Sequence, residues 1–259
     1  MGCYPLFACR DWSRLQEDLE ALPGELVSVA MVTDPFGDYD EDLLCCCFPD
    51  VMKPFKAHFV AELTKPIDSI ASKHHRYYAR KALHDVTIEV HKNPVAFVDE
   101  WTDLYSTLIE RHHLKGIKAF SREAFIHQLS LPGTVLLRAI ADNETIGAHI
   151  WYVQDVVAYS HLAACNERGY EKMASYALYW RALEYFSGQV RWLDIGAGAG
   201  TTVLPSGLDQ FKSGWSTGTR PAYFCGRIYD QDRYAEIARA RNTLNSSYFP
   251  AYRQGELSS

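Results

Sequence analysis

The residues best suited to chemistry lie in one segment, from Arg191 to Ser216. An apolar run ends at Gly196, further glycines follow at positions 198 and 200, and a second block, Gly207 to Trp215, carries Lys212. Glycines directly after a strand let the backbone approach a nucleotide cofactor. A lysine ammonium group can instead balance negative charge on a phosphate or on a developing oxyanion. These two kinds of chemistry require different folds, so the interpretation of this segment decides the predicted function.

The run from Leu193 to Gly200 resembles the first motif of S-adenosylmethionine-dependent methyltransferases, in which a strand leads through a glycine turn into a helix. Its position argues against that family, because the chain ends at residue 259 and such a sheet needs several further strand–helix units. Thr201, Thr202, Pro205 and Gly207 also make a poor helix. A methyltransferase is therefore the disfavoured alternative.

The whole segment resembles instead the C-terminal part of FemAB/FemX-like acyltransferases, which belong to the GNAT superfamily. The resemblance is carried by the strand ending in Asp194-Ile195-Gly196 and by the pattern Gly207-Leu208-x-x-Phe211-Lys212-x-Gly214-Trp215. Weaker similarity extends over most of the chain from about Lys73. The resemblance implies an enzyme that joins an amine to an activated acyl group by positioning the amine and stabilising the oxyanion.

Composition sets broad limits on partners and location. The chain has 259 residues, a net charge of −6 and 47% apolar residues, so it has no global basic surface for nucleic acid, although a local basic groove is compatible with these totals. The N-terminus lacks the pattern of a signal peptide, and no run reaches the roughly 18 apolar residues of a membrane span. These features predict a cytoplasmic protein.

Cysteine and histidine spacing predicts no metal site. The seven cysteines form no Cys-x-x-Cys pair, and an odd number of reduced thiols fits a cytosolic protein. The run Cys45-Cys46-Cys47 lies between apolar residues and is interpreted as part of a buried strand. The adjacent His112 and His113 would diverge on a helix, so they are poorly placed to bind one metal ion.

The elements needed to position these residues follow from hydrophobic periodicity. The middle of the chain predicts a helix, three antiparallel strands joined by tight turns, a second helix and a further strand, which is the order of the GNAT core. The predicted bounds are Pro94 to His113, Thr134 to Ala141, Thr145 to Val153, Val156 to Cys165, Glu171 to Phe186 and Val190 to Ile195. Ser121 is predicted to cap an additional helix.

The two ends of the chain are predicted to add a smaller structure. The predicted elements are a helix over Asp11 to Leu22, strands over Glu25 to Thr33, Leu43 to Phe48 and Ala57 to Leu63, and a late strand and helix over Tyr223 to Tyr229 and Asp232 to Leu244. The predicted class is α/β (α+β), with a GNAT-like mixed, mostly antiparallel sheet flanked by helices. Residues 1–85 would form a partial N-terminal GNAT-like subdomain, and residues 86–259 the C-terminal acyltransferase domain.

A basic helix, Ser72 to Leu83, precedes the predicted core. FemX-like proteins carry a similar Lys/Arg-rich segment, so Arg76 and Arg80 are predicted to contact a phosphate of the acyl donor or acceptor. A solvated charged face explains the same pattern equally well.

The resemblance assigns roles to further residues. Lys212 matches the lysine that lies near the donor phosphate and the reacting ester, with Phe211 and Trp215 beside the substrate. His161 is the predicted proton acceptor on the fourth core strand, where alternation would put Tyr159, His161 and Ala163 on one face. The alternative is that His161 is a structural residue of the core. Tyr159 and Asn166, at the end of that strand, are predicted to bind substrate.

The acyl donor is predicted from a difference between this chain and the pyrophosphate-binding pattern of CoA-dependent GNAT enzymes. CoA-dependent GNAT enzymes hold pyrophosphate on a Gln/Arg-x-x-Gly-x-Gly/Ala loop, but this chain has Glu171 at the inner glycine position of Arg168 to Ala174. The sequence therefore predicts transfer of an aminoacyl group from charged tRNA to an amine of a peptide or small molecule, with no resident cofactor. Stand-alone enzymes of peptidyl-antibiotic pathways, such as the pacidamycin type, are similar in size. An acyl-CoA-dependent N-acyltransferase and a non-catalytic binding module are the alternatives.

Overall fold

The computed structural model describes residues 6–22, 24–113, 116, 119–198 and 207–256. Its strands within those ranges form a mixed, mostly antiparallel sheet of eight members flanked by helices, which confirms the predicted fold class. Predicted features that involve Cys3, Pro23, Leu114, Lys115 or residues 199–206 lie outside the described residues.

The described elements divide between two compact units, Met1–Ala57 with Arg220–Ser259, and His58–Thr219. The strands are β1 Ser28–Val32, β2 Val51–Glu62, β3 Thr87–His91, β4 Thr134–Ala141, β5 Glu144–Gln154, β6 Val157–Cys165, β7 Trp192–Gly196 and β8 Gly218–Ile228. The helices are α1 Leu15–Glu20, α2 Glu41–Cys47, α3 Ile67–Ile70, α4 Lys73–Asp85, α5 Val98–His112, α6 Arg122–Leu129, α7 Glu167–Glu171, α8 Ala174–Phe186, α9 Gly207–Ser213 and α10 Gln231–Ala240. The domain division at residue 85 stays a prediction.

In the first unit, β1 pairs antiparallel with β8. One prediction is wrong here, because Leu43 to Phe48 is not a strand but belongs mainly to helix α2. The Asp40 side chain caps this helix by accepting the Leu43 N–H at 2.8 Å, and two acidic residues occupy its first turn. Cys47 is buried while Cys45 and Cys46 are exposed, as the period of a helix requires.

The second unit carries the predicted core, with strand order β2-β7-β6-β5-β4-β3. All these pairs are antiparallel except β6 with β7, which are parallel. One apolar cluster joins the sheet to α4 and α8, and another joins it to α5 and α6. Because residues from alternate positions of β4 enter the two clusters, helices cover both faces of the sheet.

Two local irregularities change where site residues point. The predicted helix from Glu171 is split, because Met173 has a left-handed conformation (φ 57°) between α7 and α8. On β6 the register against β5 shifts, so that Ser160 pairs with Trp151 and Leu162 pairs with Ile150. His161 is therefore the extra residue of a β-bulge.

Candidate active site

The sheet of the second unit opens between β6 and β7. The parallel ladder runs from the pair Val157–Trp192 to the pair Tyr159–Asp194, whereas β6 stays paired with β5 as far as Cys165. In the described part of the chain the two strands therefore part after Tyr159 and Asp194. Such an opening frees backbone N–H and C=O groups for another partner, which a bound acyl group can supply.

Lys212 lies at this opening, and its predicted contact with the acyl donor stays a prediction. It is half-buried on α9, and its ammonium group donates a hydrogen bond to the Ala197 carbonyl oxygen at 2.7 Å. A methyl group on Gly196 would lie 3.0 Å from the lysine Nζ. The ammonium group is thus held beside the end of β7.

A buried contact between a histidine and a carboxylate fixes the backbone at the same place. His58, on β2, contacts both carboxylate oxygens of Asp194 through Nδ1, at 2.9 and 3.0 Å. Asp194 also accepts the Gly196 N–H at 2.7 Å, and Gly196 has a φ of 80°. The carboxylate therefore shapes the turn that carries Ala197 towards Lys212. The sequence showed Asp194 at the end of a strand, but no local signal linked it to His58.

A histidine that the sequence analysis did not select lies on the same side of the sheet as α8. His149, on β5, is completely buried, and its Nε2 atom is 2.8 Å from the Ser160 hydroxyl. Its ring packs against Trp151 and Tyr179, with centroid distances of 4.4 and 4.7 Å. Burial, aided by the positive charge of Lys212, lowers the pKa of His149 to about 3. His149 is therefore neutral at physiological pH.

The β-bulge breaks the predicted alternation of β6 at Ala163, whereas His161 lies with Tyr152 and therefore on the face of Tyr159, which pairs with Tyr152. The His161 ring packs on Tyr152 at 4.6 Å, and its Nε2 atom is 3.0 Å from Gln128 Oε1 on α6. Ala163 instead pairs with His149 and so lies on the other face. Burial lowers the pKa of His161 to about 4. Its catalytic role stays a prediction.

The block around Lys212 is joined to the start of the basic helix α4. The His75 Nε2–H donates to the Phe211 carbonyl at 3.0 Å, so Nδ1 accepts the Ser72 hydroxyl hydrogen at 2.7 Å. The Ser72 N–H in turn donates to the Gly214 carbonyl at 2.8 Å. The rings of Phe211 and Trp215 pack against His75 at 5.5 and 4.9 Å, and Trp215 is completely buried. These contacts give both aromatic residues a packing role; their contact with substrate stays a prediction.

The other predicted binding residues occupy separate positions. Arg76 forms an ion pair with Asp68 at 3.3 Å, and Arg80 is exposed on α4. Asn166 caps α7 by accepting the Gly169 N–H at 2.9 Å. Tyr159 lies beside Asp194 in the last pair of the β6–β7 ladder. Of this group, the structure brings Tyr159 to the opening; the substrate contacts of all four stay predictions.

The loop before α8 does not fit a pyrophosphate. Arg168 is paired with Asp142 and Glu144, and a side chain at Gly169 would overlap the Ile146 carbonyl. The backbone N–H groups of Lys172 and Met173 donate to carbonyls within the same turn. With Glu171 exposed beside them, these groups are poorly arranged to cradle an anion. Among the described residues no cluster of three or more His, Cys, Asp or Glu side chains could hold a metal ion.

The buried histidines make stability depend on pH. His149, His161 and His75 all have a pKa below the unfolded value near 6.5, chiefly because burial disfavours the charged ring. Below pH 6.5 the unfolded chain therefore binds more protons than the native protein, and each such histidine lowers the unfolding free energy by up to about 1.4 kcal/mol per pH unit. We expect urea unfolding to show full stability above pH 6.5 and a steady loss between pH 6.5 and 5.

His161→Gln is the matched variant for this test, because glutamine can still donate to Gln128. Between pH 6.5 and 5 the unfolding free energy of this variant should fall less steeply with decreasing pH, because one of the three buried histidines no longer contributes. An unchanged slope would show that His161 is already protonated in the native protein.

Comparisons with known proteins show the family of this fold. Residues 71–213 match the family model described as the acetyltransferase (GNAT) domain, which is more than half of the chain. No curated protein matches the chain. None of the described helices is long and apolar enough to cross a membrane.

Solved structures share the fold at low sequence identity. The structure of FemX superimposes with a TM-score of 0.62 at 13% identity, covering 80% of this chain and 74% of that chain. The C-terminal domain of an Agrobacterium fabrum protein described as a lysylphosphatidylglycerol synthetase gives 0.55 at 12%, covering 75% and 66%. L-PGS from Bacillus licheniformis gives 0.53 at 14%, covering 70% and 62%. The chain thus spans slightly less than two thirds of the last two chains, and the likeness to all three is one of fold.

Proposed function

Because the chain belongs to the family of acetyltransferase (GNAT) domains, we propose that it is an amide-forming acyltransferase that moves an aminoacyl group from charged tRNA to an amine. The observation that carries this proposal is the position of Lys212 beside the opening between β6 and β7. A fixed ammonium group there suits a donor that brings both a phosphate and a reactive ester. The GNAT fold also leaves the methyltransferase interpretation without support.

In the proposed reaction the bonds form and break between the two substrates, and the protein mainly positions them. The amine nitrogen attacks the acyl carbonyl carbon, the carbonyl oxygen becomes an oxyanion, and the ester bond to the ribose oxygen then breaks. The proton lost by the amine ends on that ribose oxygen, so the step balances without a cofactor. The opening would hold the acyl group in line with the amine, and the Lys212 ammonium group would offset the negative charge that develops.

Two observations favour a tRNA donor over a thioester. The loop of Arg168 to Ala174 lacks a free anion cradle, as its ion pairs and internal hydrogen bonds show. The FemX structure shares the fold of this chain, and the FemX-like enzymes that the sequence resembles take an aminoacyl group from charged tRNA. The acceptor is proposed to be a peptide or small-molecule amine, in the manner of pacidamycin-type pathways, and the protein to act in the cytoplasm.

A donor assay tests the proposal. The purified protein is offered a pool of tRNA charged with labelled amino acids and, separately, labelled acetyl-CoA, each with a panel of peptide and amine acceptors. We expect labelled amide product only with the charged tRNA, and none after ribonuclease treatment of that donor. Product from acetyl-CoA alone would show that the donor is a thioester rather than charged tRNA. No product from either donor would count against an acyltransferase.

CoA binding gives a separate prediction. Because Glu171 and the occupied N–H groups leave no anion site before α8, isothermal titration with acetyl-CoA should show no saturable heat at micromolar protein. Glu171→Gly restores the glycine of the family pattern and serves as the matched variant. Saturable micromolar binding by the unaltered protein would contradict the prediction.

A further inference from the structure

The outer side of helix α4 combines cations with an exposed aromatic ring. Lys73, Tyr77, Arg80 and Lys81 are all exposed, and spacings of three and four residues put them on one side of the helix. The Tyr77 side chain is 62% exposed. Residues 72–84 include no acidic residue, although the whole chain has a net charge of −6. These four side chains, called the α4 face below, therefore form a local positive surface on an acidic protein.

A continuous path of ring contacts joins the α4 face to the block around Lys212. The centroid of the Tyr77 ring lies 5.2 Å from that of Tyr78. The Tyr176 ring, on α8, lies 5.3 Å from Tyr78 and 5.1 Å from Phe211, which directly precedes Lys212. Tyr78, Tyr176 and Phe211 are half-buried, whereas Tyr77 is exposed. The path thus leads from the neighbour of Lys212 to the surface of α4.

Hydrogen bonds fix the start of α4 on the same block. The Ser72 N–H donates to the Gly214 carbonyl at 2.8 Å, and the His75 ring donates to the Phe211 carbonyl at 3.0 Å. Lys73 lies between these two anchored residues in the sequence. The α4 face therefore begins beside the segment that carries Lys212.

The acidic side chains nearest to α4 contact cations outside the α4 face. Asp68 pairs with Arg76 at 3.3 Å, and Asp85, the last residue of α4, contacts Lys172 at 3.8 Å. In the part of the chain that the structure describes, the three cations of the α4 face form no ion pair of this kind. Their charge is therefore directed at solvent, where a bound polyanion can use it.

This combination of groups suits an unpaired nucleic-acid strand. A base can stack on an exposed aromatic ring while neighbouring cations contact the phosphates on either side of it. From Lys73 to Lys81 the helix rises about 12 Å at 1.5 Å per residue. That length matches three to four stacked nucleotides at about 3.4 Å each. A charged tRNA carries its amino acid on an unpaired 3′ end of this kind.

We propose that the α4 face binds the unpaired 3′ end of the tRNA donor, with a base stacked on Tyr77 and the three cations in contact with phosphates. The inference rests on the proposed aminoacyl transfer and extends it to the recognition of the donor. The terminal ribose lies beside Lys212, and the preceding nucleotides follow α4 from Lys73 towards Lys81. Because stacking accepts any base, this surface holds the strand without reading its sequence.

Removing the Tyr77 ring tests the stacking contact. Fluorescence anisotropy measures the Kd of uncharged tRNA and of the same tRNA after its unpaired 3′ nucleotides have been trimmed off. Tyr77→Ala should raise the Kd of intact tRNA about tenfold, the scale of one base–aromatic contact, and leave that of trimmed tRNA unchanged. Tyr77→Phe keeps the ring and should bind like the wild type. Tyr248→Ala removes another exposed tyrosine, 38% exposed, and is the matched control.

The salt dependence of binding tests the phosphate contacts. Arg80→Ala combined with Lys81→Ala should reduce the slope of log Kd against log salt concentration by about 1.4, since each phosphate contact of a single strand contributes about 0.7. Lys92→Ala removes an exposed lysine outside α4 and should leave the slope unchanged. All these side chains are exposed, so each variant should melt like the wild type.

The outcomes separate this inference from the proposed function. With charged tRNA, Tyr77→Ala should raise KM about tenfold and change kcat less than threefold. An unaltered Kd in Tyr77→Ala, or an equal loss with intact and trimmed tRNA, would overturn the α4 face as the site of the 3′ end. Binding of phosphatidylglycerol vesicles in place of tRNA would overturn it as well. If the wild-type protein transfers no aminoacyl group, the proposed function fails, while the anisotropy still decides whether the α4 face binds the 3′ end.

Discussion

Replacing Lys212 by alanine is expected to lower kcat about 100-fold, the scale for losing one preorganised charged donor. The ammonium group is held at the open end of β7 by the Ala197 carbonyl, where negative charge develops in the proposed reaction. Lys212→Arg keeps the charge but has a different shape and reach, so it should recover only part of the rate. Steady-state assays with charged tRNA measure both variants.

Melting curves must accompany these rates, because Lys212 also makes a structural hydrogen bond. Losing it should cost no more than about 1–2 kcal/mol of unfolding free energy, as is usual for one charge-assisted bond. Lys172→Ala, which removes a half-buried lysine paired with Asp85 at 3.8 Å, is the matched control and should retain its rate. A folded Lys212→Ala enzyme with near wild-type kcat would refute the role assigned to Lys212.

Gly214→Ala should be the most destabilising single-methyl substitution in the block around Lys212, with a loss of about 3 kcal/mol of unfolding free energy. A Cβ at this position would overlap the His75 ring, which cannot move away without breaking its hydrogen bonds to Ser72 and Phe211. Gly218→Ala is the control, because a methyl group there meets nothing within 4 Å. Urea unfolding measures both variants.

A double-mutant cycle shows whether the cause is His75. His75→Ala removes the ring that the new methyl group would strike, so Gly214→Ala should cost at least about 1.5 kcal/mol less in that background. Equal losses with and without His75 would mean that the strain arises elsewhere, and that the glycine of the family pattern serves another purpose.

The sequence predicted the elements well where a cap or a period marks them. Ser121 caps α6 as expected, Ser72 caps the basic helix α4 at its predicted start, and the three strands of the meander lie within a few residues of their predicted bounds. Leu43 to Phe48 was misassigned because six apolar residues in succession carry no period, and the deciding cap, Asp40, lies before them.

The candidate site was predicted less completely, because its parts meet only in three dimensions. Lys212 could be found from a contiguous pattern, whereas His149, Ser160 and Tyr179 come from three elements and form no motif. His161 was selected for its place on the fourth core strand and for the titration range of histidine, and the alternation predicted along β6 missed the β-bulge that puts Ala163 on the other face. The pairing of His58 with Asp194 joins residues separated by 136 positions and leaves no local trace in the sequence.

The junction of α4 with the block around Lys212 also has a consequence for synthesis on the ribosome. The hydrogen bond from His75 to Phe211 spans 136 positions, so this contact of α4 cannot form until almost all of residues 58–219 have been made. Closing so long a loop is costly in entropy and slow. During translation the nascent chain therefore emerges with its basic helix already able to form, while the segment that carries Lys212 is still inside the exit tunnel.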